Sequence, residues 1–129
     1  MRRPRSSATP RQRKRALRWG VMAEWLALLY LMVKGYRPRA HRYLGGGGEV
    51  DLIMCRGDTI IFVEVKARIR HEAAWLAIDG LKTQKFCRTV QYWLMHNPWA
   101  QTYHLRADAV LISPWSWPFH VKDAFTLEP

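Results

Sequence analysis

The sequence predicts an α/β fold, a mixed central sheet flanked by helices in the order α-β-β-β-α-β, and three observations predict it. Apolar residues recur at helical spacing over residues 15–34 and again over 77–95. Between these segments, residues 49–68 alternate about Gly57-Asp58 in the manner of a two-residue hairpin. A β-branched and aliphatic run at 106–113 then supplies a strand after the second helix. A length of 129 residues with 49% hydrophobic content fits one core, which we place at 16–129 behind a basic arm at 1–15.

Charge narrows the function classes. There are 21 Lys and Arg against 10 Asp and Glu, a formal net charge of +11. Such an excess implies a polyanionic partner, nucleic acid or an anionic membrane surface. No acid precedes Glu24, yet Glu49, Asp51, Asp58 and Glu64 crowd into one hairpin. That combination reads as a polyanion binder with a cation site. Cys55 and Cys87 lack metal-ligand spacing and suggest reduced thiols in a cytoplasmic protein, and the five histidines show no ligand pair.

Residues 1–15 carry seven Arg and Lys with Ser, Thr and Pro, so a disordered arm is expected. The apolar run 21–33 that follows resembles a secretory signal only superficially. It contains Glu24, it is too short to span a bilayer, and no small-x-small cleavage site follows, so no stable membrane association is expected. The first helix should be buried nearly all round in its second half and stop at Gly35. Glu24 within it either pairs with Arg18 or Arg39 at the helix edge or points into a metal site; the sequence supports both equally.

Residues 36–44 form an edge-like strand broken by Pro38, followed by Gly45-Gly46-Gly47-Gly48, expected to be a flexible connector. In the hairpin, pairing Arg56 with Thr59 puts Asp51 opposite Glu64, with Glu49 and Lys66 on the same face. The other face is apolar throughout, from Val50, Leu52 and Met54 to Ile61, Val63, Val65 and Ala67. Opposed carboxylates repel and resist desolvation, and a bound hard cation removes that penalty. The same spacing also suits an ordinary cross-strand charge cluster on a solvated face, and Glu49 reads more simply as a solvated strand-end residue. Residues 70–75 read as a loop.

On the second helix, Leu81, Phe86, Val90, Trp93 and Leu94 supply the apolar side, and Lys82, Lys85 and Arg88 a basic edge suited to phosphate contact. Trp115-Ser116-Trp117-Pro118 is an aromatic loop that either closes the core or stacks on bases, and 121–125 adds a short edge strand.

These residues resemble a family. Gly20-x-x-Ala23-Glu24, Gly35-Tyr36, Gly48-Glu49-Val50-Asp51-Leu52-Ile53, Val63-Glu64-Val65-Lys66 and Arg106-x-Asp108 are similar to the small YraN-type endonuclease-like proteins of the PD-(D/E)xK superfamily. The resemblance implies a restriction-endonuclease-like core. It implies that Asp51, Glu64 and the Val65 carbonyl hold Mg²⁺ or Mn²⁺, that Lys66 orients or activates the attacking water, and that Glu24 matches a first-helix Glu used by junction-resolving relatives. The glycine run and Ala107 depart from that pattern. The expected activity is metal-dependent hydrolysis of phosphodiesters, with DNA, branched or damaged, as the expected partner. A nucleic-acid-binding protein of the same fold without turnover is the alternative. A junction substrate would call for a homodimer.

Overall fold

A computed structural model of the chain describes residues 9–67, 80–114 and 116–127, the side chains of 15–17, 81 and 82 excepted. Helix α1 spans Pro10–Val33, followed by β1 (Arg37–Gly45), β2 (Gly48–Arg56), β3 (Thr59–Ala67), α2 (Gly80–His96), a 3-10 turn (Pro98–Thr102), β4 (His104–Ile112) and β5 (Phe119–Phe125). The strands form one sheet in the order β1-β2-β3-β4-β5. Only β3 and β4 run parallel; every other pairing is antiparallel. This is the α/β architecture with a mixed sheet expected from the sequence, and it matches a restriction-endonuclease-like core. The fifth strand is longer than the short edge strand expected.

The sheet is sandwiched between its helices. Ala23, Ala27, Leu28 and Leu31 of α1 pack on Leu52, Met54, Ile61, Val63 and Val110. Phe86, Val90, Trp93 and Leu94 of α2 cover Ile53, Cys55, Ile60, Phe62 and Ala107 on the opposite face. The hairpin arms therefore alternate between two cores, and even the face that carries the charges is apolar toward the turn. Cys55 and Cys87 are buried and free. Arg56 pairs with Thr59 across Gly57-Asp58, as expected. Leu81 of the expected apolar side and the loop 70–75 lie outside the described residues.

Four expectations are corrected. Helix α1 begins at Pro10, inside the segment expected to be a disordered arm, because Thr9 caps it: the Thr9 hydroxyl accepts from the Gln12 N–H while the Gln12 side chain accepts from the Thr9 N–H. The helix ends as expected, with Gly35 at φ 96° and the Tyr36 N–H donating to the Leu31 carbonyl. Helix α1 is buried on one side only. Met22, Trp25, Leu26, Leu29, Met32 and Val33 are exposed, because no described element covers its outer side. By length and composition alone α1 is long and apolar enough to cross a membrane, but its inner side belongs to the core. Trp117, 87% exposed, closes no core, and Trp115 lies outside the described residues.

The fourth correction concerns the glycine run, which is a packing surface rather than a loose connector. A Cβ on Gly48 would lie 2.6 Å from the Lys85 carbonyl oxygen and 2.7 Å from Thr89 Oγ1, and one on Gly45 would lie 2.5 Å from the Tyr92 ring. The Thr89 hydroxyl donates to the Gly45 carbonyl at 2.7 Å, which ties the β1–β2 turn to α2. Gly48→Ala should therefore destabilise the protein by about 1–3 kcal/mol, because backbone and hydroxyl at the contact cannot swing aside. Urea unfolding checks this; an unchanged midpoint would contradict the close approach.

Candidate metal centre

At the end of β2 far from the Gly57-Asp58 turn, β1 and β2 change sides together. His41 pairs with Leu52, and Leu52 packs under α1; Tyr43 pairs with Val50, and both face the α2 core. Arg42 and Asp51 stand opposite one another between these pairs. Arg42 has φ 54°, a left-handed conformation rare for residues other than glycine, and it breaks the alternation of β1. On β2 opposite, Val50 joins the α2 core and not the face of Leu52 and Met54 with which strict alternation groups it.

The β2–β3 pairing ends at Leu52 and Val63. Beyond it, the Asp51 carboxylate takes the place of the next rung: its Oδ2 accepts from the Val65 N–H at 2.7 Å. A strand residue directs its N–H and C=O to the same side, so the Val65 carbonyl also faces the gap left by Asp51. The expected juxtaposition of Asp51 with Glu64 thus holds as a neighbourhood rather than as a ladder pair.

Helix α1 brings Glu24 to this gap. One ligand atom each from Glu24, Glu49 and Asp51 lie within 4.8 Å of one another. Glu24 is held from the β1 side, its Oε1 taking the His41 ring at 3.1 Å and the Arg42 guanidinium at 3.2 Å. These are its partners, rather than Arg18 or Arg39. Trp25 packs its ring 4.7 Å from that of His41 and fixes the imidazole.

Glu64 and Lys66, expected beside Asp51, are buried, with Lys66 Nζ 3.9 Å from Glu64 Oε1. Glu64 shares a cleft of about 440 Å³ with Glu49, Asp51, Gly47, Gly48 and Lys85. Lys85 of the basic edge therefore overlooks the carboxylates, held there by the glycine turn beneath it. Arg88 is exposed one turn further along α2, and the Lys82 side chain lies outside the described residues.

The donor set suits a hard cation. Burial above all, then the charges of Glu24, Glu64 and Glu49, push the Asp51 carboxyl up to about 7, against the pull of the Val65 N–H. A group of carboxylates that suppresses its own ionisation is stabilised by a divalent ion, and all donors here are oxygens. The sequence singled out Glu24, Asp51, Glu64 and Lys66. It undervalued Glu49 and missed His41 and Arg42, for which no signal existed beyond their nearness to the glycine run.

With this geometry in place, the likeness to known proteins can be read residue by residue. The profile described as "Uncharacterised protein family UPF0102" matches residues 23–112, which span every residue of the site. The chain belongs to the UPF0102, or YraN, family. It is 51% identical over 122 residues to the UPF0102 protein of Methylobacterium nodulans, covering 95% of this chain and 94% of that one. The UPF0102 protein of Methylorubrum extorquens is 50% identical over 125 residues (96% and 98%), and that of Rhodopseudomonas palustris strain HaA2 is 42% identical over 114 residues (88% and 89%). Family membership thus extends over nearly the whole chain, and the resemblance read from the motifs is correct at the level of the family.

Proposed function

We propose that this UPF0102 protein is a divalent-metal-dependent nuclease that hydrolyses phosphodiester bonds, with DNA as its substrate class and the cytoplasm as its place of action. The observation that carries this reading is the convergence of Glu24, Glu49 and Asp51 from two elements, with Glu64 and Lys66 in the same neighbourhood. Asp51 and Glu64, with the Val65 carbonyl, Glu24 and Glu49 around them, would hold Mg²⁺ or Mn²⁺. When bound, that ion supplies Lewis-acid polarisation of a phosphoryl oxygen and of a water. The chain's own contributions follow from position. Lys66, beside Glu64, orients the attacking water and offsets the charge developing on it. Lys85 and Arg88 hold the phosphates that flank the cleft, and the basic residues at the start of α1 add affinity that falls steeply with salt. A branched substrate would engage a second copy of the chain.

One observation favours a second reading, a binding protein without turnover: Glu24 is already paired with the Arg42 guanidinium and hydrogen-bonded to the His41 ring. The two readings separate in one experiment. Labelled single-stranded, duplex, flapped and four-way-junction DNA is incubated with the protein and Mg²⁺ or Mn²⁺. We expect cleavage of at least one substrate. Tight binding with no cleavage under either ion would overturn the nuclease and leave the binding protein.

A further inference from the structure

Ten residues along α1 from Glu24, about 15 Å by helical rise, a second polar cluster is built on the same side of the sheet. At its root Asp108 is wholly buried, and Arg106 donates to both its oxygens at 2.8 and 2.9 Å. His120 of β5, its side chain 2% exposed, reaches Asp108 Oδ2 through Nε2 at 2.7 Å, and the Asp123 N–H donates to Oδ1. The opposite ring nitrogen, Nδ1, accepts from Lys34 Nζ at 2.6 Å. A charged ammonium can only donate, so this contact fixes the tautomer: Nε2 carries the proton, and Asp108 receives it.

The cations around this root outnumber its carboxylates. Arg106 offsets Asp108 and also donates to the Tyr36 hydroxyl at 3.0 Å. Arg56 lies over the Tyr36 ring, 4.3 Å from its centroid, and donates to the Lys34 carbonyl at 3.1 Å, so its charge is brought beside Lys34. Burial, then Lys122, then Arg56 pull the Lys34 ammonium below the ordinary lysine range, against the attraction of Asp108. Among the described residues no carboxylate forms an ion pair with Lys34, Arg56 or Lys122, and the one other acid on β5, Asp123, is exposed. Positive charge is thus assembled on a buried, hydrogen-bonded frame, with no carboxylate in direct contact with Lys34, Arg56 or Lys122 among the described residues. The condition mirrors that of the carboxylates around Glu24, with the sign reversed.

We propose that Lys34, Arg56 and Lys122, organised around His120, form a binding site for a phosphate group, carried by a nucleic-acid strand or by a free phosphate. Lys34 and Arg56 meet at this root, and Lys122 stands two residues from His120 on β5; together such donors match the several acceptor oxygens and multiple charge of phosphate better than a single carboxylate. On a strand, the spacing from Glu24 corresponds to the rise of about four base pairs, so one nucleic acid could engage both this cluster and the carboxylate site. The site needs neither metal nor cleavage and stands apart from the nuclease reading.

Inorganic phosphate is titrated into the full chain at low ionic strength without divalent ions, followed by calorimetry and by the His120 ring resonances. Lys34→Met, Arg56→Met and Lys122→Met are compared with Arg39→Met, an equal loss of charge beside Trp99. We expect each of the three to weaken phosphate binding about tenfold, Arg39→Met to leave it unchanged, and Lys34→Arg to retain it. In a second arm, a thymidine oligomer is bound over a range of salt. A salt slope reduced by about 0.7 for each removed cation would name a strand as the source. Weakened phosphate binding with unchanged slopes would name a free phosphate. His120 resonances unmoved by either ligand, or affinities equal in wild type and all three variants, would overturn the site.

Discussion

Raising the pH of the metal-free protein from about 5 to about 8 is expected to lower its melting temperature, and Asp51→Asn to remove most of that fall. The sign follows from the raised Asp51 pKa. The folded protein keeps a proton on Asp51 up to about 7, whereas the unfolded chain releases it near the ordinary 3.8. Stability from this group is therefore complete below the unfolded value and is lost as pH rises through the folded one. The full shift corresponds to about 4 kcal/mol, but the range from pH 5 crosses only about two of its pH units, and with some access of Asp51 to water we expect on the order of 1–3 kcal/mol. Asn is nearly isosteric, and its carbonyl oxygen can still accept from the Val65 N–H. Mg²⁺ or Mn²⁺ should restore the wild-type melting temperature at pH 8 and leave the variant unmoved. Parallel pH profiles for the two proteins, or equal shifts on adding the ion, would remove Asp51 from the site.

The second large effect falls on the reaction. Lys66→Ala should reduce cleavage by ~10²–10⁴-fold, the range typical of a positioned acid–base group, while Mn²⁺ binding followed by calorimetry persists. Lys66 is buried 3.9 Å from Glu64, so under the proposed mechanism its loss would remove the cation that orients the water without removing an oxygen donor. Cleavage at the wild-type rate by Lys66→Ala would refute the role of the lysine. A silent wild type would refute the nuclease itself.

Much of this was legible in the sequence for a definable reason. The hairpin has a period of two and a two-residue turn, so register followed from counting, and the apolar faces followed from register. The carboxylates were visible because charges inside β-branched strands are costly. What escaped depended on local breaks in that regularity. Counting residues assumes strict alternation, and the left-handed Arg42 abolishes it at the site; nothing in His-Arg-Tyr announces a positive φ. The partners of Glu24 lie 17 and 18 residues away on another strand, a separation that helical spacing cannot report. The early start of α1 is different, because Thr9-Pro10-Arg11-Gln12 is a capping box with proline at the first helical position, a signal hidden by the basic composition around it. The Asp108 network also escaped, since it joins α1, β4 and β5 through single residues.

The glycine turn clamped on α2 has a consequence for how such a protein can diversify. A connection between two strands is ordinarily the cheapest place to insert residues, and such loops commonly vary with function. Here a side chain at Gly45, Gly46 or Gly48 would press on α2 and shift Lys85 relative to the carboxylates. Variation is therefore steered away from this turn. It is left to surfaces such as the open outer side of α1, where change need not disturb the cleft.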